Sequence, residues 1–202
     1  MKDTVESWPV DKSTQEYSDK LITVRTDRVR MPGDNWAERT VVQHPGAVAV
    51  LALDDADRIL MIRQYRHPVG RLLWEIPAGL RDVPGEDPLI TARRELLEET
   101  GYRASHWQVL ADFFTSPGFS TERLRVFLAR DLDEVPEEER TFVLKDEEAA
   151  MTQAWVPLPE AVAAVLAGDL HNGVTAMGIL AVYAASTGDL SGLLRPVDAP
   201  ES

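Results

Sequence analysis

Residues 87–101 read Asp-Pro-Leu-Ile-Thr-Ala-Arg-Arg-Glu-Leu-Leu-Glu-Glu-Thr-Gly, and they leave the backbone little choice. Asp87 can cap a helix, Pro88 suits its first position, and Gly101 suits the left-handed residue that ends it. Leu89, Ala92 and Leu96 recur at helical spacing, so the helix buries one stripe and turns its other face outward toward a cleft. That outward face carries Glu95, Glu98 and Glu99 on little more than one turn. Side chains three and four apart are helix neighbours, and like charges at that spacing repel. A chain that needed only a solvated acidic surface would spread them out. A hard divalent cation relieves the repulsion, because Mg²⁺ or Mn²⁺ favours carboxylate oxygens and keeps positions for water and substrate phosphates.

The wider segment 79–102 resembles the Nudix box, the Gly-x5-Glu-x7-Arg-Glu-U-x-Glu-Glu-x-Gly-U signature of Nudix hydrolases, with U aliphatic. Gly79, Glu86, Arg94, Glu95, Leu96, Glu98, Glu99 and Gly101 stand at its fixed positions. Six residues rather than five separate Gly79 from Glu86, and Tyr102 takes the final aliphatic place. The extra residue falls at the Pro84-Gly85 turn, ahead of the helix, so it lengthens a loop without shifting the carboxylate register. The resemblance implies an α/β/α sandwich, a mixed sheet between helices, with the box as loop-helix-loop. It implies metal ligation by Glu95, Glu99 and the backbone carbonyl of Ala78, with Glu98 acting through water or on a second ion. Glu86 and Arg94 read as a buried pair that fixes loop to helix.

Elsewhere, Leu21–Met31 and Glu38–His44 alternate as strands around the turn signal Pro32-Gly33-Asp34-Asn35. The near-continuous apolar run 46–53 predicts a central strand covered on both faces. Arg58–Tyr65 is expected to pair with it across Asp54-Asp55-Ala56-Asp57. Short strands are expected at Leu72–Ile76, Trp107–Phe114, Arg123–Arg130 and Thr152–Val156, with an acidic loop over Asp131–Arg140. Helices are expected at Pro159–Ala167 and Val174–Ser186, the second capped by Asn172. Residues 1–18 read as loose, and the tail Arg195–Ser202 as fraying. Strands flanked by helices give an α/β (α+β) class. The expected division is an N-terminal strand region at 1–44, a hydrolase domain at 45–187 and a tail at 188–202.

Features outside the box resemble one Nudix subfamily, the ADP-ribose pyrophosphatases of actinobacterial type, over about residues 20 to 187. Pro117 lies sixteen residues beyond Gly101, in Thr115-Ser116-Pro117-Gly118-Phe119-Ser120. Gln64-Tyr65-Arg66-His67, Trp74-Glu75-Ile76-Pro77-Ala78-Gly79 and the stretch 39–48 are similar too, although Gln43 stands where many relatives have Glu. The resemblance implies hydrolysis of ADP-ribose to AMP and ribose 5-phosphate. Arg66 would pair with a substrate phosphate, a task suited to a planar guanidinium. Arg39 is a weaker candidate, acting across a dimer interface, and Phe119 could shape the pocket or belong to the core. The water-activating base is expected in a loop well past the box, at Glu148 with Glu147 as the alternative. The four histidines form no evident cluster and read as structural. The resemblance also implies a homodimer built through the strands at 21–44. Rival readings are hydrolysis of other ADP-sugars or GDP-mannose, and a non-catalytic ADP-ribose sensor.

The 202 residues suffice for one ordinary domain with its own core. A net charge of −13 argues against a nucleic-acid surface, which needs basic patches. It does not oppose a small anionic substrate, because a bound cation inverts the local charge. The absence of cysteine removes thiolate chemistry and fits a reducing cytoplasm. The polar first residues do not resemble a signal peptide, and no apolar run reaches membrane-spanning length.

Overall fold

The computed structural model describes residues 1–140, 151–187, 192 and 194–201. They divide into two compact units, one of residues 1–46 with 114–123, the other of 47–113 with 124–202.

The first unit is built on a three-stranded antiparallel sheet of β1 (Val10–Ser18), β2 (Thr23–Arg30) and β3 (Trp36–Gln43), in that order. Strands β2 and β3 flank the expected turn. Strand β1 takes the second half of the segment expected to be loose at 1–18, whereas residues 1–9 are exposed and carry no strand or helix. Its sequence has no apolar alternation, and eight of its nine residues are exposed, so only the ladder to β2 makes it a strand. The 114–123 turn docks on the end of β3, where Val42 donates to the Phe119 carbonyl and Thr121 to that of Val42.

Among the described residues, the second unit holds two sheets and three α-helices. Strands β7 (Ala78–Leu80), β4 (Ala47–Ala52), β9 (Arg123–Glu134) and β8 (Tyr102–Phe114) form a mixed sheet in the order β7-β4-β9-β8. Strand β4 is the predicted central strand, antiparallel to β7, parallel to β9 and buried along its length. A parallel neighbour requires a crossover rather than a hairpin. Strand β5 (Arg58–Arg66) accordingly does not pair with β4 as expected. Both edges of β4 are taken, and only a single Leu53–Ile59 bridge survives. Instead β5 lies between β10 (Thr152–Pro157) and β6 (Arg71–Glu75) in an antiparallel sheet. The acidic stretch after residue 130 is also more ordered than expected: β9 continues to Glu134, and Val135 is buried.

The period-two alternation of β4 explains the layers. Ala47, Ala49, Leu51 and Leu53 pack with Leu158, Ala161 and Val162 of α2 (Leu158–Ala167), and Ile179 and Val182 of α3 (Gly173–Thr187). Val48, Val50 and Ala52 face the opposite way, onto Ala92 and Leu96 of α1 (Pro88–Thr100) with Trp107 and Phe127. Helices on both faces of a mixed sheet make the α/β/α sandwich anticipated from the sequence. Asn172 caps α3 by accepting from the Thr175 amide at 2.9 Å. The tail does not fray: Arg195 and Val109 exchange backbone hydrogen bonds, and Val197 packs on the α1 side of the core.

Candidate active site

Helix α1 occupies the predicted span. Asp87 accepts from the Leu89 amide at 2.8 Å, and Gly101 (φ 77°) closes the last turn by donating to Leu97. A Cβ at Gly101 would also meet the Arg140 guanidinium, but that is the movable end of a flexible side chain, so it is the positive φ that calls for glycine.

The buried stripe orients the glutamates into a cleft of about 370 Å³, lined by β5, β7 and α1 and bounded by Arg66, Ala78, Asp82, Glu95, Glu98 and Glu99 among others. Glu99 is almost wholly buried and accepts from the Ala78 amide at 2.9 Å, which ties β7 to the helix. Gln153 of β10 donates to the Glu99 carbonyl at 2.9 Å and holds the same turn from the other sheet. Gly79 leaves room for the helix side chains, since a Cβ there would overlap the Glu95 carboxylate. Its place at the head of the box is thus a matter of close approach.

Arg94 lies among the acids. Its Nη1 donates to Glu95 Oε1 at 2.7 Å and lies 3.9 Å from Glu98, while Nη2 reaches Glu86 at 3.5 Å. Glu86 is held more closely by the Thr91 hydroxyl, at 2.6 Å. The loop-to-helix pair is therefore a triad of Glu86, Thr91 and Arg94, and the Glu86–Arg94 contact is half-buried rather than buried, because it lies at the rim where loop meets helix. Burial opposes the Arg94 charge, but Glu95, Glu86 and Glu98 outweigh it and hold the guanidinium above its ordinary range.

Arg66 enters the cleft from the end of β5. Its Nε and Nη2 donate to Glu75 at 2.9 and 2.6 Å, a two-bond fork onto a carboxylate only 2% exposed. Sequence reasoning assigned no role to Glu75, although a glutamate closing the apolar run Leu72-Leu73-Trp74 was a visible signal. Asp82 and Gln64 line the cleft as well and were not anticipated.

The donor chemistry fits a divalent cation. Asp82, Glu95, Glu98 and Glu99 offer only oxygen, and they outnumber Arg66 and Arg94, the first of which is already matched by Glu75. Among the described residues no three His, Asp or Glu side chains converge closely enough to hold an ion as they stand. Arg94 Nη1 binds Glu95 and lies near Glu98, so an ion on those carboxylates competes with its guanidinium.

Arg39, Pro117 and Phe119 belong to the first unit. Arg39 is exposed on β3 and donates to the Glu38 carbonyl at 2.9 Å. Pro117 and Phe119 sit on the exposed 114–123 turn, and Phe119 is a surface residue rather than core. Glu147 and Glu148 lie outside the described residues.

An acidic helix face set beside a mixed sheet, with the Arg66 guanidinium in the same cleft, places oxygen donors and a fixed cationic group together. A family model for the NUDIX domain matches residues 43–175, and the chain belongs to that family as a Nudix hydrolase. Nudix hydrolases generally use divalent metal ions. An ADP-ribose pyrophosphatase of Mycobacterium tuberculosis is 51% identical over 172 residues, covering 85% of this chain and 81% of that protein. One from Bacillus subtilis is 41% identical, covering 82% and 86%. Among solved structures, an ADP compounds hydrolase superposes with a TM-score of 0.73 at 20% identity, covering 95% of this chain and 98% of the other, and so supports the fold.

Proposed function

We propose that this Nudix hydrolase cleaves the diphosphate bond of ADP-ribose, giving AMP and ribose 5-phosphate, with Mg²⁺ or Mn²⁺ held by Glu95, Glu99 and the Ala78 carbonyl and supported by Glu98. The observation that carries it is one cleft containing both the carboxylate face of α1 and the Arg66 fork. A diphosphate resists water because its oxygens repel a nucleophile. When bound, the cation supplies charge neutralisation and lowers the pKa of a coordinated water. Glu95 and Glu99, one helical turn apart, supply the anionic oxygens. Gly79 admits the Glu95 carboxylate to the cleft, and the Ala78 amide fixes that of Glu99. Arg66, aligned by Glu75, offers a fixed guanidinium to a substrate phosphate. Glu148, with Glu147 as the alternative, takes the proton of the attacking water. Arg39, Pro117 and Phe119 are assigned to substrate binding.

The functional unit proposed is a cytoplasmic homodimer. Strand β1 is exposed on both faces, and Val10, Tyr17, Leu21 and Trp36 of the first unit are exposed apolar residues that a second copy would cover.

The test is release of AMP or GMP when purified protein and Mg²⁺ meet ADP-ribose, other ADP-sugars and GDP-mannose. ADP-ribose should turn over fastest, and Glu95→Gln with Glu99→Gln should abolish turnover and ion binding together. Preferential GMP release, or full activity in that double variant, would overturn the proposal. A monomeric mass in solution at micromolar concentration would overturn the dimer.

A further inference from the structure

The tail that was expected to fray is fastened at several points. Leu194 packs on the core beneath α2 and α3, and Arg195 bridges Val109 on β8. Arg195 also pairs with Asp112 at 2.9 Å. Arg125, itself buried, binds Asp112 by a two-bond fork at 2.8 and 2.9 Å and donates to the Ala199 carbonyl at 3.0 Å. Beyond this anchor, Glu201 accepts from Arg81 at 2.7 Å and lies 3.9 Å from Arg125.

Arg81 opens the lengthened box loop, 81–87. Asp82 of that loop lines the acidic cleft, and Glu86 near its end binds Arg94 and Thr91. A six-residue spacer where the signature has five gives the loop more freedom to lose on ordering.

We propose that Leu194–Glu201 is a strap that positions the 81–87 loop for ion binding, with Arg81 and Glu201 as positioning residues. The inference rests on the acidic cleft being the metal site. The Arg125–Asp112 pair holds the strap to the sheet, and the Arg81–Glu201 contact transmits its position to the loop.

The test uses the full chain with Arg81→Met, Glu201→Ala, the double variant, and the exchanged pair Arg81→Glu with Glu201→Arg. Hydrogen exchange at the Glu86 amide, which donates to Val83 in this loop, reads loop order without metal or substrate. Calorimetric titration with Mg²⁺ reads the site. Each single variant should speed that exchange and weaken Mg²⁺ binding about tenfold, the low end for outer-shell partners. The double variant should be no worse than the weaker single, and the exchanged pair should recover part of the loss. Melting temperatures should stay within about 2 °C, because the pair is partly exposed. Unchanged exchange in both singles, or losses that add in the double, would overturn the strap. If the wild type itself binds no Mg²⁺, the metal assignment fails, while the exchange measurement still decides the strap.

Discussion

Replacing Arg66 by methionine removes both donors from Glu75, a carboxylate that is 2% exposed. Breaking a buried ion pair from one side costs about 3–5 kcal/mol, because the other charge is stranded. The Arg66 side chain is 44% exposed, so water can enter where it stood, which reduces the figure to about 2–3 kcal/mol. For a domain of this size that is a fall of about 5–10 °C in melting temperature. The reverse change, Glu75→Met, leaves a partly exposed guanidinium that can turn to solvent, and should cost about 1 kcal/mol. Making both changes leaves no buried charge, so the double variant should melt well above Arg66→Met. Activity should not follow stability: Arg66→Met and the double variant should both show a KM raised about tenfold or more, since both lose the guanidinium proposed to bind the substrate phosphate. Thermal unfolding and steady-state kinetics on the four proteins decide it. An Arg66→Met protein that melts within a degree of wild type, or a double variant no more stable than Arg66→Met, would refute the reasoning.

Gly79→Ala should leave melting nearly unchanged, because only the end of the Glu95 side chain must move, yet weaken Mg²⁺ binding and turnover by about a hundredfold. Gly101→Ala places a side chain on an unfavourable positive φ, and should lower stability by about 1–2 kcal/mol in denaturant unfolding. Asp112 provides a pH test. Burial raises its pKa, but Arg125 and Arg195 outweigh this and hold it below the ordinary value of 3.8. Its stabilisation is therefore present above that value and is lost as pH falls through the depressed one. Melting temperature should drop on acidification below about pH 4, and Asp112→Asn should flatten that limb while lowering stability at neutral pH.

Helix α1 was legible to the residue because its determinants are local. A cap, a proline, a glycine and one apolar stripe all lie within the segment they define. Strand β4 was legible from its uninterrupted apolar run, and the clustered glutamates followed from helical spacing alone. Strand β1 could not be read this way, since its pairing with β2 requires no hydrophobic signal on either face. The division between β4 and β5 was equally invisible: both segments are apolar, and which edges pair depends on β7, β9 and β10, which are distant in sequence.

The sequence by itself determined the chemistry on offer, a face of oxygen donors on a helix of fixed length. Tertiary structure decided how that chemistry is held: Glu75 beneath Arg66, Gly79 against Glu95, and Glu201 on Arg81. Partners 9, 16 and 120 positions apart are joined only when strands and tail come together, and no local pattern encodes such meetings. Charge and periodicity are written along the chain, whereas contact is a property of its path in space.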